Sequence, residues 1–277
     1  MLYGMLGTLY DVSIFIEWEG LFNMKEDKVS IIIPVYNAEK FIEETISCVI
    51  NQTYKNWELI LIDDMSKDNS CSIIKKIIKN NKDKDIKLIK LEEKGMAAGA
   101  RNKGIEKATG RYLCYIDADD LWDKDKLEKQ VQFMKEKKCA FSYTSYEFAD
   151  ENCKPSGKKV RAKEKLTYKQ AMKNNIISTI TVMFDLDKIN KELLMMPNLR
   201  YIEDTASWFK ILRNGYVAYG IPNVFSYYRR TPGTSSSNKF KTLKRVWNLY
   251  RKEEKLNIFQ SCYYFIMKNI NAILRRI

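Results

Sequence analysis

The sequence predicts an α/β fold built on a mostly parallel, doubly wound sheet, and three observations lead there. Short β-branched apolar runs alternate with helix-patterned segments four times within about 90 residues. The runs before the first, second and fourth turns are predominantly apolar, as in strands covered on both faces. Acidic or polar residues follow the runs, at the edge where open α/β sheets bind ligands.

The elements follow in order. Val29-Ser30-Ile31-Ile32-Ile33-Pro34 reads as a buried strand ended by proline. Asn37 then reads as an N-cap, with Glu39, Glu43 and Glu44 early in a helix running to about Gln52. Trp57 to Ile62 is a second strand, closed by Asp63-Asp64. Ile73, Ile74, Ile77 and Ile78 carry a helical stripe. Ile86 to Leu91 is a third strand, Met96 to Ala108 a helix of small residues, and Arg111 to Ile116 a fourth strand after Gly110. Beyond it, Ala140 to Phe148 alternates like a strand with one solvated face, and Lys154 to Lys165 reads as a basic loop. Ile176 to Phe184 is strand-like, Asp204 to Arg213 helical, and Val224 to Arg229 a last strand before a turn-rich Ser/Thr segment. From Phe240 the pattern is helical and basic.

Composition narrows the chemistry. The 277 residues contain no histidine, which removes Ser-His-Asp and Cys-His catalysis, His-ligated zinc and His proton shuttles. Acid–base work must then fall to carboxylates, Lys, Tyr or Cys. Six cysteines show no CxxC pair and no zinc spacing, as in a reduced, cytoplasmic protein. No run of 18 apolar residues spans a membrane. The net charge of +13 suits a phosphorylated substrate or an anionic surface, and residues 239–277 hold ten basic residues against Glu253 and Glu254. Residues 1–23 carry three acids and no Lys or Arg, and a hydrophilic leader opens at Met24. The expected division is therefore 1–23 as an extension outside the fold, 24–238 as the main domain, and 239–277 as a basic amphipathic helical tail.

Three strands end in polar clusters: Tyr36-Asn37, Asp63-Asp64 and Asp117-Ala118-Asp119-Asp120. A lone acidic pair after a strand is usually a solvated turn. Two such clusters at one sheet edge repel each other unless a cation or ligand compensates them. Hard carboxylate oxygens at i and i+2 suit Mn²⁺ or Mg²⁺ bridging a diphosphate, with Asp117 and Asp119 as ligands. Asp64 is placed like the acid that accepts from a ribose hydroxyl in dinucleotide folds. Gly95, Gly99 and Gly104 do not have the GxGxxG spacing, so a nicotinamide dinucleotide is not indicated.

Four ordered blocks then carry a family resemblance. They are Val29 to Asn37, Ile62-Asp63-Asp64-Met65-Ser66-Lys67-Asp68, Ala100-Arg101-Asn102-Lys103-Gly104 and Tyr115-Ile116-Asp117-Ala118-Asp119-Asp120. Together they resemble glycosyltransferase family 2, whose GT-A fold transfers sugars with inversion, over roughly residues 29–237. The segment from Tyr227 to Lys239 is most similar to bacterial teichuronic-acid and capsule-type members. The resemblance implies that Pro34, Tyr36, Asn37 and Glu39 surround the nucleotide, that Asp64 binds uracil or ribose, and that Asn102 sits near the donor. It makes Asp117-Ala118-Asp119 the DxD motif, with Asp119 the metal contact, and Glu203-Asp204 the ED motif, with Asp204 the general base. Where many members carry a His after the Tyr-Arg pair, this chain has Thr231, which leaves Arg229, Arg230 and the Ser/Thr turn as candidates to hold phosphates.

The implied reaction moves a sugar from a nucleotide-diphosphate donor, a UDP-sugar by family frequency, to a saccharide or lipid-linked saccharide acceptor of the cell envelope. The tail could lie on the anionic inner face of the membrane, and no nucleic acid is expected. Two other classes compete. A sugar-phosphate nucleotidyltransferase wants a Gly-rich loop after strand one, where Val35-Tyr36-Asn37-Ala38 stands. A non-enzymatic basic module wants a basic groove interleaved with aromatics, whereas here acids gather at the sheet edge.

Overall fold

A computed structural model describes residues 27–230 and 239–274. The expected extension at 1–23, Thr231 and the Ser/Thr turn lie outside the described residues. The sheet order is β3-β2-β1-β4-β9-β6-β10-β5. Its parallel half consists of β1 (Val29–Val35), β2 (Trp57–Asp63), β3 (Ile86–Lys90) and β4 (Tyr112–Tyr115). The short β9 (Met183–Asp185) is antiparallel to both β4 and β6 (Phe141–Ala149), and β10 (Ala218–Arg229) runs parallel to β6. β5 (Leu121–Trp122) and β8 (Lys165–Leu166) pair antiparallel with β10, and β7 (Pro155–Val160) with β6.

β1, buried at every position but Pro34, shows how a period of two persists without a solvated face. Ile32 joins one buried cluster, while Ile31 and Ile33 join the cluster on the opposite side. Helices α1 (Ile42–Ile50), α2 (Ser70–Asn80) and α4 (Lys126–Lys137) cover the Ile31 side. On the Ile32 side lie α3 (Met96–Lys107), α5 (Tyr168–Lys173), α6 (Lys191–Leu194) and α7 (Glu203–Arg213). Gly104 lets α3 approach β1: a Cβ there would meet Ile32 Cγ2 at 2.4 Å.

Several sequence expectations are corrected. Pro34 does not end β1, which continues to Val35; the β4 ladder stops at Ile32, so a residue without an N–H is tolerated there. Asn37 is no N-cap. Its φ of 48° is left-handed, and α1 starts five residues later. β6 has no solvated face, because it lies between β9 and β10 with layers above and below. The basic loop contains the edge strand β7, and residues 176–184 fold as a 3₁₀ turn at Thr179–Thr181 leading into β9.

The C-terminal region is two helices, α8 (Lys239–Asn248) and α9 (Ile258–Leu274), separated by a wide π turn at Leu249–Glu253. Val246, Leu249 and Tyr250 are buried in the same cluster as Trp208 and Phe209, and the Tyr250 hydroxyl donates to the Met172 carbonyl. These three residues of the C-terminal region therefore pack on the main hydrophobic cluster. No helix among the described residues is long and apolar enough to cross a membrane.

Candidate active site

The carboxyl ends of β1, β2 and β4 open onto a cavity of about 760 Å³. Pro34, Tyr36, Asn37, Asp64, Asp117, Ala118, Asp119, Glu203 and Asp204 all line it. Glu39 and Asn102 do not. Glu39 accepts from the Asn69 backbone and side-chain amides at 2.9 Å, and Asn37 accepts from the Lys67 N–H at 2.8 Å. The two residues thus knit the turn after β1 to the turn after β2. Asn102 spends both ends of its amide on Met196, donating to its carbonyl and accepting from its N–H. That clamp fixes α3 against the segment leading into α7.

Asp64 is 4% exposed and accepts from the Gly95 N–H at 2.6 Å, which anchors the loop entering α3. Lys94 lies 3.6 Å from the centre of the exposed Tyr36 ring on the same side of the cavity. Among the described residues, three of the seven non-glycine residues with left-handed φ line the cavity, namely Asn37, Met96 and Tyr201. Backbone strain of this kind collects at binding sites, where the surrounding structure holds it in place.

The acids after β4 are held by Arg229, which is 3% exposed. Its Nε donates to the Asp119 carbonyl, its backbone N–H to the Asp120 carboxylate, and its guanidinium also reaches Glu44 and the Glu151 carbonyl. Arg229 is therefore spent on shaping this turn, and Arg230 stacks on Phe148, 3.7 Å from the ring centre. Burial, then the neighbouring Asp117 charge, pushes the Asp119 carboxyl up to about 6. Burial raises Asp120 well above the ordinary carboxylate range as well.

On the facing wall, Asp204 enters at the first turn of α7. Its carboxylate accepts from the Thr205 N–H and from the Thr179 hydroxyl at 3.3 Å. Burial raises its pKa, opposed by the Arg101 charge. Glu203 is raised by burial too, and its Oε2 has no hydrogen-bond partner. Arg101, 5% exposed, stands between the walls, 2.6 Å from Asp117 and 3.5 Å from Glu203. Sequence reasoning quoted Arg101 within a motif without a role, and overlooked Thr179. A charged residue inside a small-residue helix was the available signal for Arg101; for Thr179 there was none.

Among the described residues no three His, Cys, Asp or Glu side chains converge to hold a metal. The donor set that does face the cavity is hard oxygen: Asp119, with Asp117 partly neutralised by Arg101. Such a pair fits a divalent cation whose remaining ligands come from a bound diphosphate.

A mostly parallel sheet interrupted by the antiparallel β9, with a carboxylate-lined cleft at its carboxyl edge, is the arrangement of the GT-A glycosyltransferase fold. The same architecture is found in mannosyltransferase PcManGT from Pyrobaculum calidifontis in complex with GDP-Man and Mn²⁺. That likeness has a TM-score of 0.67 at 18% identity and covers 92% of this chain and 78% of that one. The model of Glycosyl transferase family 2 matches residues 30–188, and the chain belongs to that family. It is 41% identical over 249 residues to TuaG of Bacillus subtilis (strain 168), named as a teichuronic acid biosynthesis glycosyltransferase, covering 90% of this chain and 97% of TuaG. It is also 40% identical over 227 residues to the Escherichia coli UDP-Glc:alpha-D-GlcNAc-diphosphoundecaprenol beta-1,3-glucosyltransferase WfgD, covering 82% of this chain and 86% of WfgD.

Proposed function

We propose that this family 2 glycosyltransferase moves a sugar from a UDP-sugar to a hydroxyl of a lipid-linked saccharide during cell-envelope polysaccharide synthesis, with inversion at the anomeric carbon. The observation that carries the reading is that Asp204 and the Asp117–Asp119 pair line one cavity, with Arg101 paired to Asp117 and to Glu203, the residue before Asp204. The names of TuaG and WfgD support the pathway and the acceptor class.

In this reading Pro34, Tyr36 and Asn37 border the nucleotide, and Asp64 accepts from its base or ribose. Asp119, with Asp117 beside it, holds Mn²⁺ or Mg²⁺. When bound, that cation stabilises negative charge on the departing diphosphate. Asp204 takes the acceptor hydroxyl proton as the hydroxyl oxygen bonds to the anomeric carbon and the bond to the diphosphate breaks on the opposite face. The Arg101 charge opposes the burial that raises the Asp204 pKa, and the Thr179 hydroxyl donates to its carboxylate. The enzyme works in the cytoplasm, peripheral on the inner membrane face. Phe259, Tyr263, Ile266, Ile270 and Ile273 form an exposed stripe on α9, with Lys244, Arg251, Lys252 and Lys255 exposed on the preceding segment.

A screen of nucleotide sugars for slow hydrolysis, with and without Mn²⁺ or Mg²⁺, tests the reading without needing the acceptor. Metal-dependent release of UDP is expected. Hydrolysis of none of the donors under either condition overturns it.

A further inference from the structure

The cavity contains a second cationic feature that the reaction above does not use. Residues 198–204 all line it, forming the wall that carries Asp204. On this wall Tyr201 has a left-handed φ of 68° and a ring that is 44% exposed. The Arg245 guanidinium, from α8, lies 4.2 Å from the centre of that ring, and the Arg200 guanidinium lies 4.8 Å from it. Both arginines line the cavity.

The contrast with the other arginines of the site is chemical. Arg101 and Arg229 are buried and spend their guanidinium groups on carboxylates and carbonyls. Arg200 and Arg245 have no ion pair with a carboxylate among the described residues; each has only the Tyr201 ring as a neighbour of opposite character. Two guanidinium groups on one aromatic repel each other and carry ten N–H donors into a cleft, an arrangement that an anion stabilises. The left-handed backbone at Tyr201 is strained for an aromatic residue and holds the ring in this position.

We propose that Arg200, Tyr201 and Arg245 form an acceptor-side site for a diphosphate, the group linking the acceptor sugar to its lipid. The inference rests on the reaction assigned above and deepens it. Asp204 must meet the acceptor hydroxyl, so the wall from Asn198 to Asp204 faces the acceptor. The donor's own diphosphate belongs at Asp119 on the other wall. Arg200 stands four residues before Asp204, so the acceptor's sugar lies between its base and its phosphate clamp. Because Arg245 comes from α8, the exposed stripe of α9 and the diphosphate site sit on one continuous C-terminal segment.

Calorimetry on the full chain tests this with geranyl diphosphate as a sugar-free probe, titrated with and without saturating UDP and Mn²⁺. Geraniol and inorganic pyrophosphate separate the contributions of lipid and phosphate. The wild type is expected to bind geranyl diphosphate and not geraniol, with UDP present. The Arg200→Ala/Arg245→Ala variant should lose at least about tenfold in that affinity while UDP affinity stays within about twofold. Arg200 is exposed and Arg245 half-buried, and neither belongs to the core cluster, so the variant's melting temperature should stay close to the wild type's. Equal binding of geranyl diphosphate by both proteins, or none by the wild type, overturns the site. A parallel loss of UDP affinity also overturns it, because the arginines would then belong to the donor. A wild type that captures geranyl diphosphate through the arginines yet binds no UDP and hydrolyses no donor sinks the proposed reaction and leaves the site standing.

Discussion

The Arg101 guanidinium lies 2.6 Å from the Asp117 carboxylate and 3.5 Å from that of Glu203, so a single buried cation joins the two acidic walls of the cleft. Replacing it with an apolar residue of similar length would leave Asp117, Glu203 and Asp204 without their common counter-charge. Arg101→Met is expected to lose about 3 kcal/mol in urea unfolding, the scale for breaking a buried ion pair. It should also shift the acid limb of the pH–rate profile upward, with Arg101→Lys intermediate. A profile that does not move would leave Arg101 as packing alone.

Asp204 is the second test. Burial holds its pKa above the ordinary carboxylate value of about 4. A base works only when ionised, so turnover should fall as the pH drops through that raised value. Asp204→Asn should lose roughly 10³-fold in transfer rate, within the range for general-base catalysis, while keeping UDP affinity. Full activity in this variant would remove Asp204 from the role.

Asp119 predicts an effect of opposite sign on stability. Its folded pKa of about 6 lies above the unfolded value, so its contribution is fully present below about pH 4 and is lost as the pH rises through 6. Asp119→Asn should therefore melt higher than the wild type at pH 8, by about 1–2 kcal/mol after allowance for solvent contact. The gap should close below about pH 4. Adding UDP with Mn²⁺ should stabilise the wild type more than the variant. A variant that melts lower at pH 8 contradicts this.

Gly104 links packing to the site. Gly104→Ala places a methyl 2.4 Å from Ile32 Cγ2, so α3 must move away from β1 and carry Arg101 with it, one turn earlier. The expected cost is about 1–3 kcal/mol, with a fall in donor hydrolysis. Pairing it with Ile32→Ala reopens the space, so the double variant should be more stable than the two single effects predict. Strict additivity would show that α3 does not feel the clash.

The α9 stripe gives the last test. Truncation near residue 239 is uninformative, because it removes Tyr250 from the core. Phe259→Ser/Ile266→Ser/Ile270→Ser changes exposed positions only and should leave the melting temperature in place. Sedimentation with vesicles rich in anionic lipid should drop severalfold. Equal sedimentation would rule out this stripe as the contact.

The parallel half was readable because β1, β2 and β4 are predominantly apolar, Ser30 and Glu58 apart, and each ends at a polar or acidic turn. The second half was less so. β7 is exposed almost throughout and exists because its backbone pairs with β6, which leaves no hydrophobic pattern to find. The 3₁₀ turn at Thr179 interrupts an apolar run that looks continuous in one dimension. At the site, Asp64, Asp117, Asp119 and Asp204 were visible by residue type and order. The Arg101 bridge was not, since it joins residues 16 and 102 positions away through geometry alone.

The burial of Tyr250 also bears on how the chain is made. It stacks on Phe209, 6.3 Å between ring centres, and shares a cluster that reaches back to Ile32. Contacts this distant in sequence close late and slowly. During synthesis the first four strands can pair long before the ribosome has delivered their last covering residue. Until residue 250 emerges, the nascent protein keeps an aromatic surface open beside Trp208. A chain interrupted before Tyr250 would leave that surface uncovered and mark the product for chaperones or proteases.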